Sequence, residues 1–200
     1  MTRVIAGVAG GRRLSVPAGR DTRPTSDRAR EGLFATVQAI RGPLTGASVL
    51  DLYAGSGAVG LEALSRGAAR ALLAESDPRA VSVIRVNIAA LGLTGACVIA
   101  DRVERMLARG PAGDQAGGAA GGRFDVAFAD PPYAMPDEAV SAMLTALITA
   151  AWLVPGALVV VERSTRSGPV RWPEGIAEDR SRRYGEATLW YGLATGALLA

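Results

Sequence analysis

From residue 47 onward, short apolar runs alternate with longer segments whose apolar positions recur every three to four residues. The runs at 48–52, 71–75, 96–100, 124–129 and 157–162 are rich in Val, Ile, Leu and Ala and too short for helices, so they predict strands. Helical spacing fills 57–66, 78–91, 103–109 and 138–151, and two closing strands are expected near 176–180 and 187–193. Strand and helix in strict alternation predict a mostly parallel, doubly wound sheet with helices on both faces. Ligands of such a sheet gather at the carboxyl ends of its strands.

Upstream the pattern changes. Residues 3–8 and 12–16 read as two β segments joined across Gly10-Gly11, a pair suited to a tight hairpin turn, and 17–24 read as a loop. A helix capped by Thr25 or Ser26 is expected to run to about Ile40, with Leu33, Phe34, Val37 and Ile40 on one face. Arg28 and Arg30 set positive charge against the dipole at its start, an arrangement better suited to a ligand or an RNA than to the helix. Residues 110–123, GPAGDQAGGAAGGR, have too few side chains able to pack and read as a flexible insertion.

Composition narrows the chemistry. Two hundred residues with 49% hydrophobic and 20% charged side chains suit one globular core with small additions. All 22 basic residues are arginine, and histidine is absent. Imidazole bases, Ser-His-Asp and Cys-His nucleophiles, Schiff-base lysines and the Walker-A lysine are therefore excluded. Cys97 is the sole cysteine, which leaves too few ligands for a structural zinc site and suits a reducing cytoplasm; no metal is expected. The first residues lack the continuous apolar core of a secretory leader. The uncharged stretch 139–161 is long enough to cross a bilayer, but Pro155-Gly156 divides it into a helix and a strand. Residues 1–30 hold seven arginines against Asp21 and Asp27, whereas the remaining 170 hold 15 arginines against 17 acids. A basic arm on a near-neutral body suits either a polyanion such as RNA or a merely solvated face.

Four motifs carry chemistry. Asp51-Leu52-Tyr53-Ala54-Gly55-Ser56-Gly57 places glycines between a strand end and a helix start, where backbone can approach a ligand. The glycines alone also fit nicotinamide or flavin cofactors, or a plain structural turn. Asp51 shifts the choice, because a carboxylate there repels a pyrophosphate and attracts a cationic, amino-acid-like cofactor such as S-adenosylmethionine, although a structural Asp51 fits the pattern as well. Glu75 ends the second strand, where it can accept ribose hydroxyls, with Asp77-Pro78 as cap and first residue of the next helix. Asp101 ends the third, where it can accept from an adenine amine or cap the helix that follows. The fourth strand ends in Asp130-Pro131-Pro132-Tyr133. A carboxylate and a fixed carbonyl there can hold both hydrogens of a ring-conjugated amine while the tyrosine stacks on its base.

Asp51 with its glycines resembles motif I of the class I S-adenosylmethionine-dependent methyltransferases, and DPPY resembles their motif IV. Across most of the chain the sequence resembles one family, the bacterial 16S ribosomal RNA guanine-N2-methyltransferases. The resemblance rests on Gly11-Arg12-Arg13-Leu14, Arg23-Pro24-Thr25-Ser26-Asp27-Arg28, Leu61-Glu62-Ala63-Leu64-Ser65-Arg66-Gly67, DPPY and Arg183-Tyr184-Gly185. It implies a Rossmann-like, seven-stranded sheet at 21–200 behind a basic β-hairpin extension at 1–20. It also implies S-adenosylmethionine bound by Asp51, Tyr53, Gly55, Gly57, Glu75 and Asp101, catalysis by Asp130, Pro131 and Tyr133, and RNA contacts from Arg12, Arg13, Arg23 and Arg28. The implied partner is 16S ribosomal RNA within a small subunit, acted on by a cytoplasmic monomer. A DNA adenine-N6-methyltransferase shares DPPY but needs a target-recognition domain for which the chain has no room. A nicotinamide oxidoreductase conflicts with Asp51 and DPPY, and a non-catalytic RNA-binding scaffold conflicts with Asp130.

Overall fold

The computed structural model describes residues 2–17, 27–111 and 122–196. The 18–24 loop, the cap at Thr25 or Ser26, the RNA contact at Arg23 and most of the glycine-rich insertion lie outside these residues. In chain order the elements are α1 (Asp27–Arg41), β1 (Ser48–Leu52), α2 (Ala58–Ser65), β2 (Arg70–Glu75), α3 (Pro78–Leu91) and β3 (Ala96–Ala100). Then follow α4 (Val103–Ala108), β4 (Phe124–Ala129), α5 (Asp137–Thr149), β5 (Leu153–Ser164), β6 (Ile176–Tyr184) and β7 (Ala187–Ala194).

The strands form one seven-stranded sheet in the order β3-β2-β1-β4-β5-β7-β6. The first five are parallel, and β7 is antiparallel to both β5 and β6. Alternate strand residues face two separate cores, as period-two geometry requires. Val49, Val126, Phe128 and Val160 pack beneath α1, α2 and α3, while Leu50, Leu52, Ala127 and Val159 pack beneath α4 and α5. Burial on both faces explains why these strands read as unbroken apolar runs. Pro155-Gly156, expected to separate a helix from the strand at 157–162, lies inside β5: pairing with β4 jumps from Phe124↔Leu153 to Val126↔Leu158, so the extra residues bulge outward and the strand begins earlier, at Leu153. Among the described residues no helix is long and apolar enough to cross a membrane.

One helix-interior glycine has a packing cause. A Cβ at Gly32 of α1 would stand 2.2 Å from the Tyr184 hydroxyl, so the glycine, at a cost of about 1 kcal/mol in a helix, admits the end of β6.

The amino-terminal arm differs from the expected hairpin. Its two segments form no strands and pair through a single antiparallel bridge, Arg3↔Arg13. What orders it is docking. Glu62 of α2, fully buried, accepts the Ile5 and Ala6 N–H groups at 2.6 and 3.0 Å and pairs with Arg66 at 2.8 Å. Ser65 Oγ accepts from Ala9 N–H at 2.9 Å and donates to the Ala6 carbonyl at 2.6 Å. Val4, Ala9 and Leu14 join the core under α1–α3. Backbone groups spent on α2 are not available for a two-stranded ladder. Arg30, expected to serve a ligand or an RNA, is wholly buried and donates to the Arg3 carbonyl at 2.7 Å and to Asp27 at 2.6 Å, which ties the arm to α1.

Candidate active site

The carboxyl edge of the sheet gathers the predicted acids. Asp51, 2% exposed, accepts the Gly60 N–H of α2 at 2.8 Å. Burial, opposed by that hydrogen bond and reinforced by Glu75, pushes its pKa up to about 7. Beyond β1 the chain turns sharply: Tyr53 and Gly55 have φ of 60° and 56°, and Gly57, at 78°, caps α2. A Cβ at Gly57 or Gly60 would stand 3.0 Å from Leu73, so these two glycines let the helix close on the sheet. A Cβ at Gly55 would meet nothing within 4 Å, so this backbone faces open space. That is the surface a ligand lying on the turn requires.

Glu75 is built into the same turn. One carboxylate oxygen accepts from Gly55 N–H at 2.8 Å, the other from Ser76 and Asp77 N–H at 2.7 and 2.9 Å. Asp77 caps α3 through Arg79 N–H with Pro78 in the first turn, as the spacing predicts. Asp101 is arranged differently. It accepts from Arg102 N–H at 2.8 Å and pairs with Arg105 at 3.5 Å and with Arg109. Desolvation works against the charge, but the Arg102 N–H and the two guanidinium groups hold its carboxyl below the usual range. It is not the helix cap: Arg102 takes that position without a side-chain bond. No hydrogen bond joins Asp101 to the Asp51–Glu75 group among the described residues.

Asp130 follows β4, beside β1 on one side and β5 on the other. Desolvation, then the charges of Glu162 and Asp51, raise its pKa well above the carboxylate range. Glu162, buried two residues before the end of β5, receives the Tyr133 hydroxyl at 3.5 Å. Tyr133 is 46% exposed, a large aromatic ring left on the rim of the site. The Pro132 carbonyl accepts from Met135 N–H at 2.8 Å, while among the described residues none donates to the Pro131 carbonyl. Two further side chains fix this loop. Buried Arg163 donates at 2.9 Å both to the Met135 carbonyl and to Asp137. Tyr53 donates to Glu104 at 3.0 Å and touches Met135 Sδ at 3.9 Å, so the end of β1 meets the loop after β4. Burial and Glu104 push the Tyr53 hydroxyl pKa upward.

Glu162 and Arg163 are not among the expected site residues, although the signal was present: Val159-Val160-Val161 runs into Glu162, a fifth strand-end acid after Asp51, Glu75, Asp101 and Asp130. For the expected RNA contacts the outcome is divided. Arg13 and Arg28 are exposed. Arg12 is not free: its guanidinium donates to the Leu91 carbonyl at 2.8 Å and to that of Ala90, the last turn of α3, where a cation complements the helix dipole. Among the described residues no cluster of metal-ligating side chains occurs.

A family model described as conserved hypothetical protein 95 matches residues 2–192. The chain belongs to that family. Ribosomal RNA small subunit methyltransferase D of Escherichia coli strain K12 is 35% identical to it over 176 residues, 85% of this chain and 80% of that protein. A hypothetical protein of Thermus thermophilus has a similar solved structure, with 37% identity and a TM-score of 0.75 over 96% of this chain and 98% of that one. An RNA methyltransferase of Salinibacter ruber, in complex with S-adenosyl-L-homocysteine, shares the fold at a TM-score of 0.60 and 17% identity, covering 88% and 95% of the two chains. This member of the conserved hypothetical protein 95 family thus has the seven-stranded mixed sheet of methyltransferases, and its resemblance to the small-subunit ribosomal RNA methyltransferases holds at the level of the family.

Proposed function

We propose that the protein transfers a methyl group from S-adenosylmethionine to the exocyclic N2 amine of a guanine in 16S ribosomal RNA. The observation that carries the reading is the juxtaposition, at one sheet edge, of a desolvated Asp130, an available Pro131 carbonyl and the exposed Tyr133 ring, beside an open glycine turn lined by Asp51 and Glu75. The relative named as a small-subunit ribosomal RNA methyltransferase supports the polymer, and the fold shared with a complex of S-adenosyl-L-homocysteine supports the cofactor.

The residues present fit a cationic cofactor. Asp51, Glu75 and Asp130 crowd negative charge into a desolvated place, and a bound cation relieves it. When bound, S-adenosylmethionine supplies an electrophilic methyl on its sulfonium. Asp51 and Glu75 keep the turn shaped around the ligand, and Gly55 admits it without side-chain collision. Asp130 and the Pro131 carbonyl accept the two hydrogens of the target amine, drawing its lone pair out of conjugation. As nitrogen gains the methyl it loses a proton, and the raised basicity of Asp130 makes it a suitable acceptor. Tyr133 stacks on the base, which must leave its own stack to enter the site. Exposed Arg13 and Arg28, with Arg23, contact phosphates, and Arg12 is withdrawn from that set by its bonds to α3.

Mass mapping of 16S ribosomal RNA from cells with and without the gene tests the reaction. Loss of one N2-methylguanosine is expected; unchanged guanines, or a methyl lost from adenine N6 in DNA, overturn the reading. Calorimetric titration should show heat with S-adenosylmethionine and none with NAD.

A further inference from the structure

We propose that Asn87 is a positioning residue that makes the amino-terminal arm part of the cofactor site. The proposal rests on the cofactor reading above but concerns a side chain outside the turn. Asn87 lies in the third turn of α3 and is 2% exposed. Its Oδ1 accepts the Ser15 N–H at 2.8 Å, and its Nδ2 donates to the Ser15 carbonyl at 3.0 Å and to the Ser56 carbonyl at 2.9 Å. Ser56 is the residue between Gly55 and Gly57, so one buried amide joins the arm to the middle of the cofactor turn. The amide orientation is fixed by its partners, because a flip would set nitrogen against an N–H and oxygen against two carbonyls.

The arm reaches Asn87 by a defined route. Arg12 is anchored on the carbonyls of Ala90 and Leu91, and three residues later Ser15 is anchored on Asn87, four residues back along α3. The chain therefore travels from the carboxyl end of α3 toward its start, which lies at the ligand edge of the sheet. Ser56 sits in the one turn of the cofactor site that must hold positive φ on both sides, at Gly55 and Gly57. Restraining its carbonyl from outside keeps that turn in shape before a ligand arrives. Coupling through this amide is reciprocal: whatever breaks the Asn87 bonds to Ser15 and Ser56 weakens the cofactor, and the cofactor steadies Ser15 through the same bonds.

Hydrogen exchange on the full chain tests the tie without any ligand. Asn87→Asp keeps the acceptor for Ser15 N–H, loses both donors and sets a carboxylate against two carbonyls. The Gly55 and Gly57 amides should then exchange faster, and the affinity for S-adenosylmethionine should fall roughly 10- to 100-fold, the scale for breaking buried hydrogen bonds, with turnover at saturating cofactor retained. Glu62→Gln loosens the arm at its other anchor and should lower the melting temperature while leaving cofactor affinity and the Gly55 and Gly57 amides unchanged. Equal losses of affinity in the two variants would mean general destabilisation and overturn the proposal. Should Asn87→Asp not fold, Ser15→Pro deletes the N–H that Asn87 accepts, at an exposed position, and unchanged Gly55 and Gly57 exchange in that variant overturns the tie. A parent protein that gives no heat with S-adenosylmethionine refutes the cofactor reading instead, and the ligand-free exchange still decides the coupling.

Discussion

The acids at the carboxyl edge fall into two groups. Glu75 and Asp101 lie at the ends of β2 and β3 and are already answered, Glu75 by three backbone N–H groups and Asp101 by one N–H and two arginines. Asp51, buried at the end of β1, and Asp130, half-buried after β4, have like charges for company, and both carboxyls are pushed upward. The first group holds loops in shape and is stable as it stands. The second is costly until something positive or hydrogen-bonding arrives, and the proposed chemistry rests on that contrast. Sheet order produces the contrast, since β1, β4 and β5 are central neighbours whereas β3 is an edge strand with α4 arginines at hand.

The contrast breaks most severely at Asp130. Asp130→Ala should cost about 100- to 1000-fold in turnover, the scale for losing one preorganised electrostatic contact, with cofactor affinity nearly intact by titration. Turnover near the parent's would make Asp130 structural.

Asp51 should show the cost directly. A carboxyl raised from 3.8 to about 7 on folding favours the folded state most at pH below its unfolded value, and that stability is lost as pH rises through about 7. Asp51→Asn should therefore melt higher than the unliganded parent, with the gap growing from pH 5 to pH 8 toward an upper bound of about 4 kcal/mol. Cofactor affinity of the parent should rise with pH up to about 7 and then level, because a cation selects the carboxylate. Melting curves and titrations across that range check both; a flat gap would show that Asp51 is not the strained group.

Glu75→Ala should weaken S-adenosylmethionine by about 1–3 kcal/mol, the range for hydrogen bonds to a charged group, because it frees the Gly55, Ser76 and Asp77 amides together and, on the proposed reading, removes a ribose contact. A titration showing parent-like affinity in the folded variant would refute its role. In the arm, Arg12→Ala should lower stability by about 1 kcal/mol through the lost bonds to α3, while the salt dependence of RNA binding stays that of the parent. Its counterpart Arg13→Ala should do the reverse, flattening the slope by up to about 0.9 log unit with no change in melting. The smallest effect is expected at Asp101→Asn, whose arginine partners are solvent-exposed, so calorimetry should find cofactor affinity close to the parent's.

Much of this was legible in the chain because it is written over short distances. Hydrophobic period gave every strand of the sheet, and the Asp51 turn, Asp77-Pro78 and DPPY each lie within a dozen residues, where backbone geometry follows from the residues themselves. Local signals could also mislead. Gly10-Gly11 predicts a hairpin, yet the amides of residues 5, 6 and 9 bond to Glu62 and Ser65, more than fifty positions away, so the antiparallel pairing is confined to the Arg3↔Arg13 bridge and its flanking bonds. The same distance hid Asn87 and the proper place of Arg12. The sequence alone determined which residues are acids at strand ends. Which of those acids would be desolvated together was decided by the order β1-β4-β5, which sets Asp51, Asp130 and Glu162 side by side although they are far apart in the chain. Burial and like-charge repulsion depend on neighbours in space, and only the folded sheet supplies those neighbours.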